Sequence, residues 1–333
     1  MTEPQVSGTR GFSRAGGIAG RRGASGGTSG SSGTSGSSGT SGSSGSGTLS
    51  GVGGNTVLRC DGRPVARYVH RPRVPAGLPS RPYLHPVRTL GGVTVTELRP
   101  PDHVHHLGVS MAVPDVSGVN FWGGRTYVRD RGPVALDNHG AQEHTGWLLR
   151  DPDGCVEELS WTREGRELLR ERRTISALAL SGDAWVLDFT SALTNVSGTD
   201  LSIGSPATNG RPGAGYGGFF WRAPKEGVAG TAPDVFTEDG TGEDAVHGRT
   251  AGWLALAGRD WTLIFGGANG DTRDDPWFVR TTEYPGVGSS LAWRQRLPLL
   301  AGGSVARRIV TVVADGRLDR PAAAALARKA VAA

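Results

Sequence analysis

The chain has 333 residues and a formal charge of +5 at neutral pH, with 36% hydrophobic and 20% charged residues. Three of the five charges belong to the first 54 residues, where Arg10, Arg14, Arg21 and Arg22 face only Glu3, so the remaining 279 residues are near +2 with acids and bases interspersed. That balance argues against a nucleic-acid-binding face, and no run approaches the roughly 18–20 apolar residues of a membrane helix, so a soluble, cytoplasmic protein is expected.

Residues 1–54 are almost all Gly, Ser, Thr, Ala and Arg, with Thr-Ser-Gly-Ser-Ser-Gly repeated at 28–33, 34–39 and 40–45. Such a segment has almost no apolar side chains whose burial could offset the entropy of ordering it, and it reads as a disordered tail. It has no apolar h-region, and the Arg21-Arg22 pair is followed by Gly and Ser rather than by a hydrophobic run. Cys60 and Cys155 are the two cysteines. They make no Cys-x-x-Cys pair, fit a reducing compartment and allow at most one disulfide.

From residue 55 the pattern is that of strands. Residues 56–60 and 65–69 flank Asp61-Gly62, a hairpin signal. The segment 82–88 is extended, and its prolines predict an edge strand or a strand end. Residues 93–98 alternate and are rich in β-branched types, as a strand requires. The chain resumes as a strand over 107–113. An aromatic block between glycines follows at 118–124, and His139, Glu143 and His144 precede Trp147.

The middle is the clearest β region. Strands are expected at 155–161, 168–180 and 184–196, with turns at Asp153-Gly154, Glu164-Gly165 and 181–183. The Glu and Arg content of 162–175 suits a helix about as well as a half-solvated sheet. Across 184–196, Trp185, Leu187, Phe189 and Leu193 fall on one face at period two. Residues 205–222 form a glycine-rich loop ending in aromatics, and 223–248 read as a long excursion. Further strands are predicted at 253–257, 261–266, 277–281, 291–297 and 304–313, with a short closing helix from about Pro321. Many turn-separated strands and little helix make the chain all-β, a large sandwich of apposed antiparallel sheets spanning about 55–318 with the helix at 319–333.

The chemistry-bearing residues concentrate at 99–108, where Asp102, His103, His105 and His106 follow Pro100-Pro101. No other stretch gathers as many groups that hold a proton or a metal near neutral pH. In an extended backbone His103 and His105 share one face, while Asp102 and His106 share the other. Two imidazoles and a carboxylate can make an acid/base site, with Asp102 as partner. They can also make an open metal site, with Glu143 or His139 completing His103 and His105 and a divalent metal as the candidate cofactor. The plainer reading is a polar strand-end rim.

The glycine-rich 213–218 segment lacks the Lys-Ser/Thr pair of a phosphate loop, which excludes nucleotide binding there. Tyr216, Trp221 and Arg222 beside it suit a sugar-like small molecule, because aromatic faces stack and arginine donates a fork of hydrogen bonds. Trp277 and Arg280, after the charged run 271–275, can line the same groove. Both sets also read as core aromatics and a salt-linked loop.

The blocks 81–89, 101–108 and 118–122, with 215–222 and 275–280, together resemble the PmoA-like family of bacterial proteins labelled "methane oxygenase PmoA". The resemblance covers roughly residues 80–316. It implies a β-supersandwich similar to that of aldose epimerases and a role in carbohydrate catabolism, while the label implies a metal-dependent oxygenase. Three functions follow as expectations. One is a carbohydrate-processing enzyme with His103, His105 and Asp102 catalytic and His106, Tyr216, Trp221, Arg222, Trp277 and Arg280 binding substrate. The second is a metalloenzyme using His103, His105 and Glu143, and the third a non-catalytic sugar-binding protein.

Overall fold

Asp61 (φ 48°) and Gly62 (φ 78°) both lie in the left-handed region, as a two-residue type I′ turn requires. They close the hairpin expected at the start of the folded chain. The computed structural model describes residues 54–75, 77–225 and 232–332. The tail expected over 1–54 therefore lies, but for Gly54, outside the described residues.

Two large antiparallel sheets carry the fold. The seven-stranded sheet runs β1 (Gly54–Cys60), β2 (Arg63–Arg71), β3 (Tyr83–Val87), β4 (Val109–Ala112), β13 (Gly218–Arg222), β18 (Gly286–Ser289) and β17 (Trp277–Arg280). The eight-stranded sheet runs β14 (Asp234–Thr237), β15 (Leu254–Ala257), β16 (Trp261–Gly267), β20 (Ser304–Asp315), β11 (Ala184–Asn195), β10 (Arg166–Ala179), β9 (Gly154–Arg163) and β8 (Ala141–Arg150). A three-stranded sheet joins β19 (Leu297–Leu299), β12 (Leu201–Gly204) and β5 (Asp115–Val116), and β6 (Thr126–Val128) pairs with β7 (Gly132–Val134). Helices α1 (Glu243–Val246), α2 (Gly270–Asp274) and α3 (Arg320–Ala332) complete the described chain. The all-β sandwich and its closing helix agree with the sequence. Among the described residues no helix is long and apolar enough to cross a membrane.

The core lies between the two large sheets. Trp185, Leu187, Phe189 and Leu193 of β11 face it, as their spacing predicts, and join Val109, Met111, Phe219 and Trp221 from the opposing sheet. Phe189 meets Phe219 at 5.4 Å and Trp221 meets Phe265 at 5.6 Å between ring centroids. Helix α3 covers the outer face of the eight-stranded sheet, with Ala323, Ala327 and Ala330 against Val186, Ile264, Val310 and Val312.

The core also holds ions. Residues 162–175 hold no helix; they end β9, turn at Glu164-Gly165 and enter β10, with Arg170 and Arg172 exposed and Glu171 and Arg173 buried. Arg173 donates to Glu171 (2.8 and 2.7 Å), to Gln142 Oε1 (3.1 Å) and to the Tyr68 hydroxyl (3.1 Å). Tyr68 in turn donates to Glu157, and His144 Nδ1 lies 2.6 Å from the other Glu157 oxygen. Glu157, Glu171 and Arg173 are each fully buried, so every one of these partners offsets a large desolvation cost.

Three local expectations are corrected, and a fourth left two readings of which one holds. β3 is interior, between β2 and β4, so the strand end and not the edge explains the prolines: Pro82 stands just before the strand and Pro86 at its penultimate position, where the pairing with β2 is irregular between Ala66 and Tyr68. Residues 93–98 form no strand; they run extended, bonded to neighbours through Val95 N–H to Val87 O and Glu97 N–H to Arg222 O. The 223–248 excursion contains β14 and α1, and the strand expected at 291–297 is a loop ending at β19, while β18 carries the pairing instead. Cys60 and Cys155 are buried and free.

Candidate functional site

The outer face of the seven-stranded sheet carries the site, and strand alternation builds its floor. In β13, Phe219 and Trp221 enter the core while Phe220 turns outward; in β17, Trp277 and Val279 enter it while Phe278 turns outward. Ala112, Phe220 and Phe278 pack outside the sheet with Trp122, Tyr216 and Tyr284. Over this aromatic layer lies a cavity of about 210 Å³ lined by His103, His105, His106, Arg125, Arg211, Arg280 and Glu283 among others.

The histidine segment is not extended. His103 N–H donates to Pro100 O and His106 N–H to His103 O, both at 2.9 Å. Two consecutive turns therefore gather all three imidazoles and expel Val104, which is 47% exposed. His103 stacks on His106 at 4.5 Å and 22°, His105 meets His106 edge-on at 4.8 Å, and His103 and His105 are 5.8 Å apart. His106 was expected to turn away; it is instead the most buried of the three, 1% exposed, against Phe220 (5.0 Å) and Tyr284 (5.1 Å). Its Nδ1 is buried without a hydrogen-bond partner.

Arg81 holds this segment from below. Its guanidinium donates to the carbonyls of His105 and Trp122, each at 2.6 Å, and to Ser110 Oγ at 3.1 Å. Close approach shapes the opposite wall: a Cβ on Gly123 would come within 2.8 Å of His105 Cβ, and Gly123 has φ 111°. Only glycine satisfies both conditions.

Two of the imidazoles, His105 and His106, are held neutral. Burial lowers the His105 pKa to about 3, and Arg81, His103 and His139 push it the same way. Burial lowers His106 further, with the neighbouring imidazoles, Arg222 and Arg81 adding to it. Burial works against ionisation of Asp102, yet Lys225, Arg222 and His103 outweigh it and set its carboxyl below the usual range. Asp102 Oδ2 lies 3.0 Å from Lys225 Nζ and 3.4 Å from His103 Nδ1.

A second constellation sets Arg280. Glu243 Oε2 accepts from Thr281 N–H at 2.6 Å, and Glu243 Oε1 accepts from Arg280 Nη1 at 3.3 Å. Val279 N–H donates to His247 Nδ1 at 3.1 Å and leaves His247 Nε2 to donate to Gly213 O at 2.8 Å. That fixes one neutral tautomer, and burial lowers the His247 pKa accordingly. The guanidinium of Arg280 lies 4.8 Å over the Phe278 ring.

The predicted residues thus divide. His103, His105, His106, Tyr216 and Arg280 line one cavity. Trp221 and Trp277 do not: both are core residues, with indole N–H groups donating to Val95 O (2.8 Å) and Ala251 O (3.2 Å). Arg222 is fully buried behind Tyr284, 4.6 Å from that ring, with Nε donating to Glu97 at 2.9 Å, and it lies outside the lining, so it supports the wall. Asp102 stands behind His103 and outside the lining.

Glu143, the expected third metal ligand, is exposed on edge strand β8 with Thr162 Oγ1 at 3.4 Å, away from His103 and His105. Stacked, nearly parallel rings do not aim their in-plane lone pairs at one point, and among the described residues no group of three or more His, Cys, Asp or Glu side chains is placed to hold a metal. Arg125, Arg211, Glu283, Tyr284 and the Glu243–His247 pair were missed by sequence reasoning. Of these only the Glu243/His247 spacing of four carried a local signal.

A larger cleft of about 460 Å³ lies around Arg249, Trp293 and Arg294. It holds no imidazole, and its Asp275 is engaged by Arg307 at 2.6 Å.

The chain belongs to the family of unknown function DUF6807, whose match spans residues 55–328. No curated protein matches the chain.

Proposed function

For this member of a family of unknown function, we propose acid/base chemistry on a sugar or sugar derivative in the cavity over the seven-stranded sheet. The observation that carries the reading is the convergence of three imidazoles, 4.5–5.8 Å apart, on one aromatic-walled cavity. Aromatic faces with a few convergent polar groups are what a sugar ring requires.

His103 is the assigned base. Asp102, 3.4 Å from its Nδ1, stabilises by its charge the imidazolium formed when His103 takes a proton. His105, held neutral beside it, donates a hydrogen bond to the ligand oxygen on which negative charge develops as His103 takes the proton, and that proton returns from the His103 imidazolium. Tyr216 packs on the sugar face, and Tyr284 backs the His103 and His106 rings at 4.6 and 5.1 Å. The metal-dependent reading wants a third ligand; Glu143 does not supply one, and His139 spends its Nε2 on Gly124 O at 2.9 Å.

The test begins with a thermal-shift screen of sugars and sugar derivatives on the full chain, since a native-state binder raises the melting temperature by mass action. Compounds that bind are then incubated in D₂O and followed by proton NMR. Exchange or conversion that His103→Ala and His105→Ala abolish, with binding retained, supports the proposal. Binding without turnover in the wild type reduces the protein to a sugar-binding module, and no sugar bound at all overturns the reading.

A further inference from the structure

We infer that the ligand of this cavity carries an oxyanion, a carboxylate or a phosphate on a single sugar ring. The inference rests on the sugar reading above and adds the charge of the substrate.

Three arginines reach the cavity, Arg125, Arg211 and Arg280, and Glu283 is the acid that joins them in its lining. Arg280 is already pinned by Glu243 and by the ring of Phe278, so its fork is presented at little entropic cost. Arg125 is exposed and has no hydrogen-bond or ion-pair partner among the described residues. The wall behind the site compensates itself: Arg222 and Lys225 are paired with Glu97 and Asp102. The excess positive charge therefore belongs to the cavity mouth.

The imidazoles give independent support. Burial keeps His105 and His106 uncharged, with Arg81 acting in the same direction, so the cavity's fixed positive charge comes from its arginines and not from its imidazoles. His106 Nδ1, buried and unpartnered, leaves hydrogen-bonding capacity unspent in the cavity wall.

Size and walls narrow the class. A volume of about 210 Å³ is below the ~300–1,000 Å³ typical of drug-sized ligands, which suits one ring and not a chain. Trp122, Phe278 and Tyr284 line the cavity as buried rings, two of them covered by Arg280 and Arg222, and the partly exposed Tyr216 offers the apolar face. The adjacent glycines do not cradle a nucleotide phosphate; their missing side chains admit neighbours, since a Cβ on Gly215 would lie 2.2 Å from Trp293 and one on Gly218 2.3 Å from Ser289 O.

Calorimetry on the full chain tests this with matched pairs: glucuronate and galacturonate, glucose 6-phosphate and galactose 6-phosphate, and neutral glucose and galactose, at low and high salt. The expected result is binding of the acids or of the phosphates about tenfold or more tighter than of the neutral sugars, weakened by salt. Whichever anionic arm binds identifies the oxyanion. Arg280→Gln should lower that affinity about tenfold or more. Arg125→Gln, at an exposed position that cannot disturb folding, should lower it too while sparing the melting temperature. Equal binding of neutral and anionic sugars, or unchanged affinity in both variants, overturns the inference and leaves the sugar reading standing. Failure of every sugar to bind overturns both.

Discussion

Arg81 donates to the carbonyl oxygen of His105 at 2.6 Å from a position that is 1% exposed. The side chain that fixes the histidine turn thus acts through the backbone and from inside the protein. Its other bonds, to Trp122 O and Ser110 Oγ, tie the turn to the aromatic wall and to β4. Replacement by methionine would leave three buried acceptors without a donor. The expected loss is about 3 kcal/mol or more of stability, read from urea denaturation, with ligand affinity lost at concentrations where the variant is still folded.

The two tryptophans that the sequence offered to the ligand should behave as core residues. Trp221→Ala and Trp277→Ala each remove a large side chain from a closed interior and should cost about 3–5 kcal/mol. Tyr216→Ala, on the cavity wall, should do the reverse: modest destabilisation and a marked fall in ligand affinity. Equilibrium denaturation and calorimetry on the three variants separate the effects.

Stability should fall in acid. His70 and His106 are 7% and 1% exposed, and burial lowers both pKa values, that of His70 to about 4. In the unfolded chain an imidazole takes its proton near 6.5. Between those values the unfolded state binds more protons, so stability rises with pH from about 4 to 6.5 and is lost as pH falls through that window. Each such histidine contributes up to about 1.4 kcal/mol per pH unit.

Glu157 has the opposite sign. Burial raises its pKa from 4.5 to about 7, so the folded state keeps a proton that the unfolded state releases. Its contribution is full below about 4.5 and lost as pH rises through 7. Urea midpoints across this range should peak near pH 6, with His70→Gln flattening the acid limb and Glu157→Gln the neutral one.

Glu243 is expected to matter for binding more than for folding. It receives the backbone of Thr281 and the guanidinium of Arg280 while remaining partly exposed. Glu243→Ala should cost about 1–2 kcal/mol in stability but free Arg280 and weaken any ligand that Arg280 holds. An unchanged dissociation constant would show that Arg280 does not need this support.

The fold was largely legible because β-strand alternation is a local signal. Trp185, Leu187 and Phe189 alternate with polar neighbours, and that face is indeed the core. Legibility failed where both faces of a strand are apolar. In β13 the run Phe219, Phe220, Trp221 has no polar alternate to reveal which side is which, because one face meets the core and the other an aromatic wall. The wrong tryptophan was therefore given to the site.

Density of imidazoles located the histidine cluster correctly, but its geometry depends on turns at residues 100–106 and on Arg81, a bond made across 24 residues. Arg125, Arg211 and Glu283 arrive from separate loops, and no local pattern links them. Pro86 could not show whether β3 was an edge strand or a strand end for a similar reason: the irregular pairing that absorbs it belongs to β2 as much as to β3.

In β13 and β17, wall and core side chains occupy alternate positions of the same strand. Point substitutions at Phe220, Phe278 or Arg280 can change what the cavity admits while Trp221, Trp277 and Val279 keep the interior intact. One residue inserted into either strand would exchange the two sets along its whole length. Divergence of ligand preference in proteins built this way is therefore open to substitution and closed to single-residue insertion at these strands, so lineages should differ there in residue type and not in length.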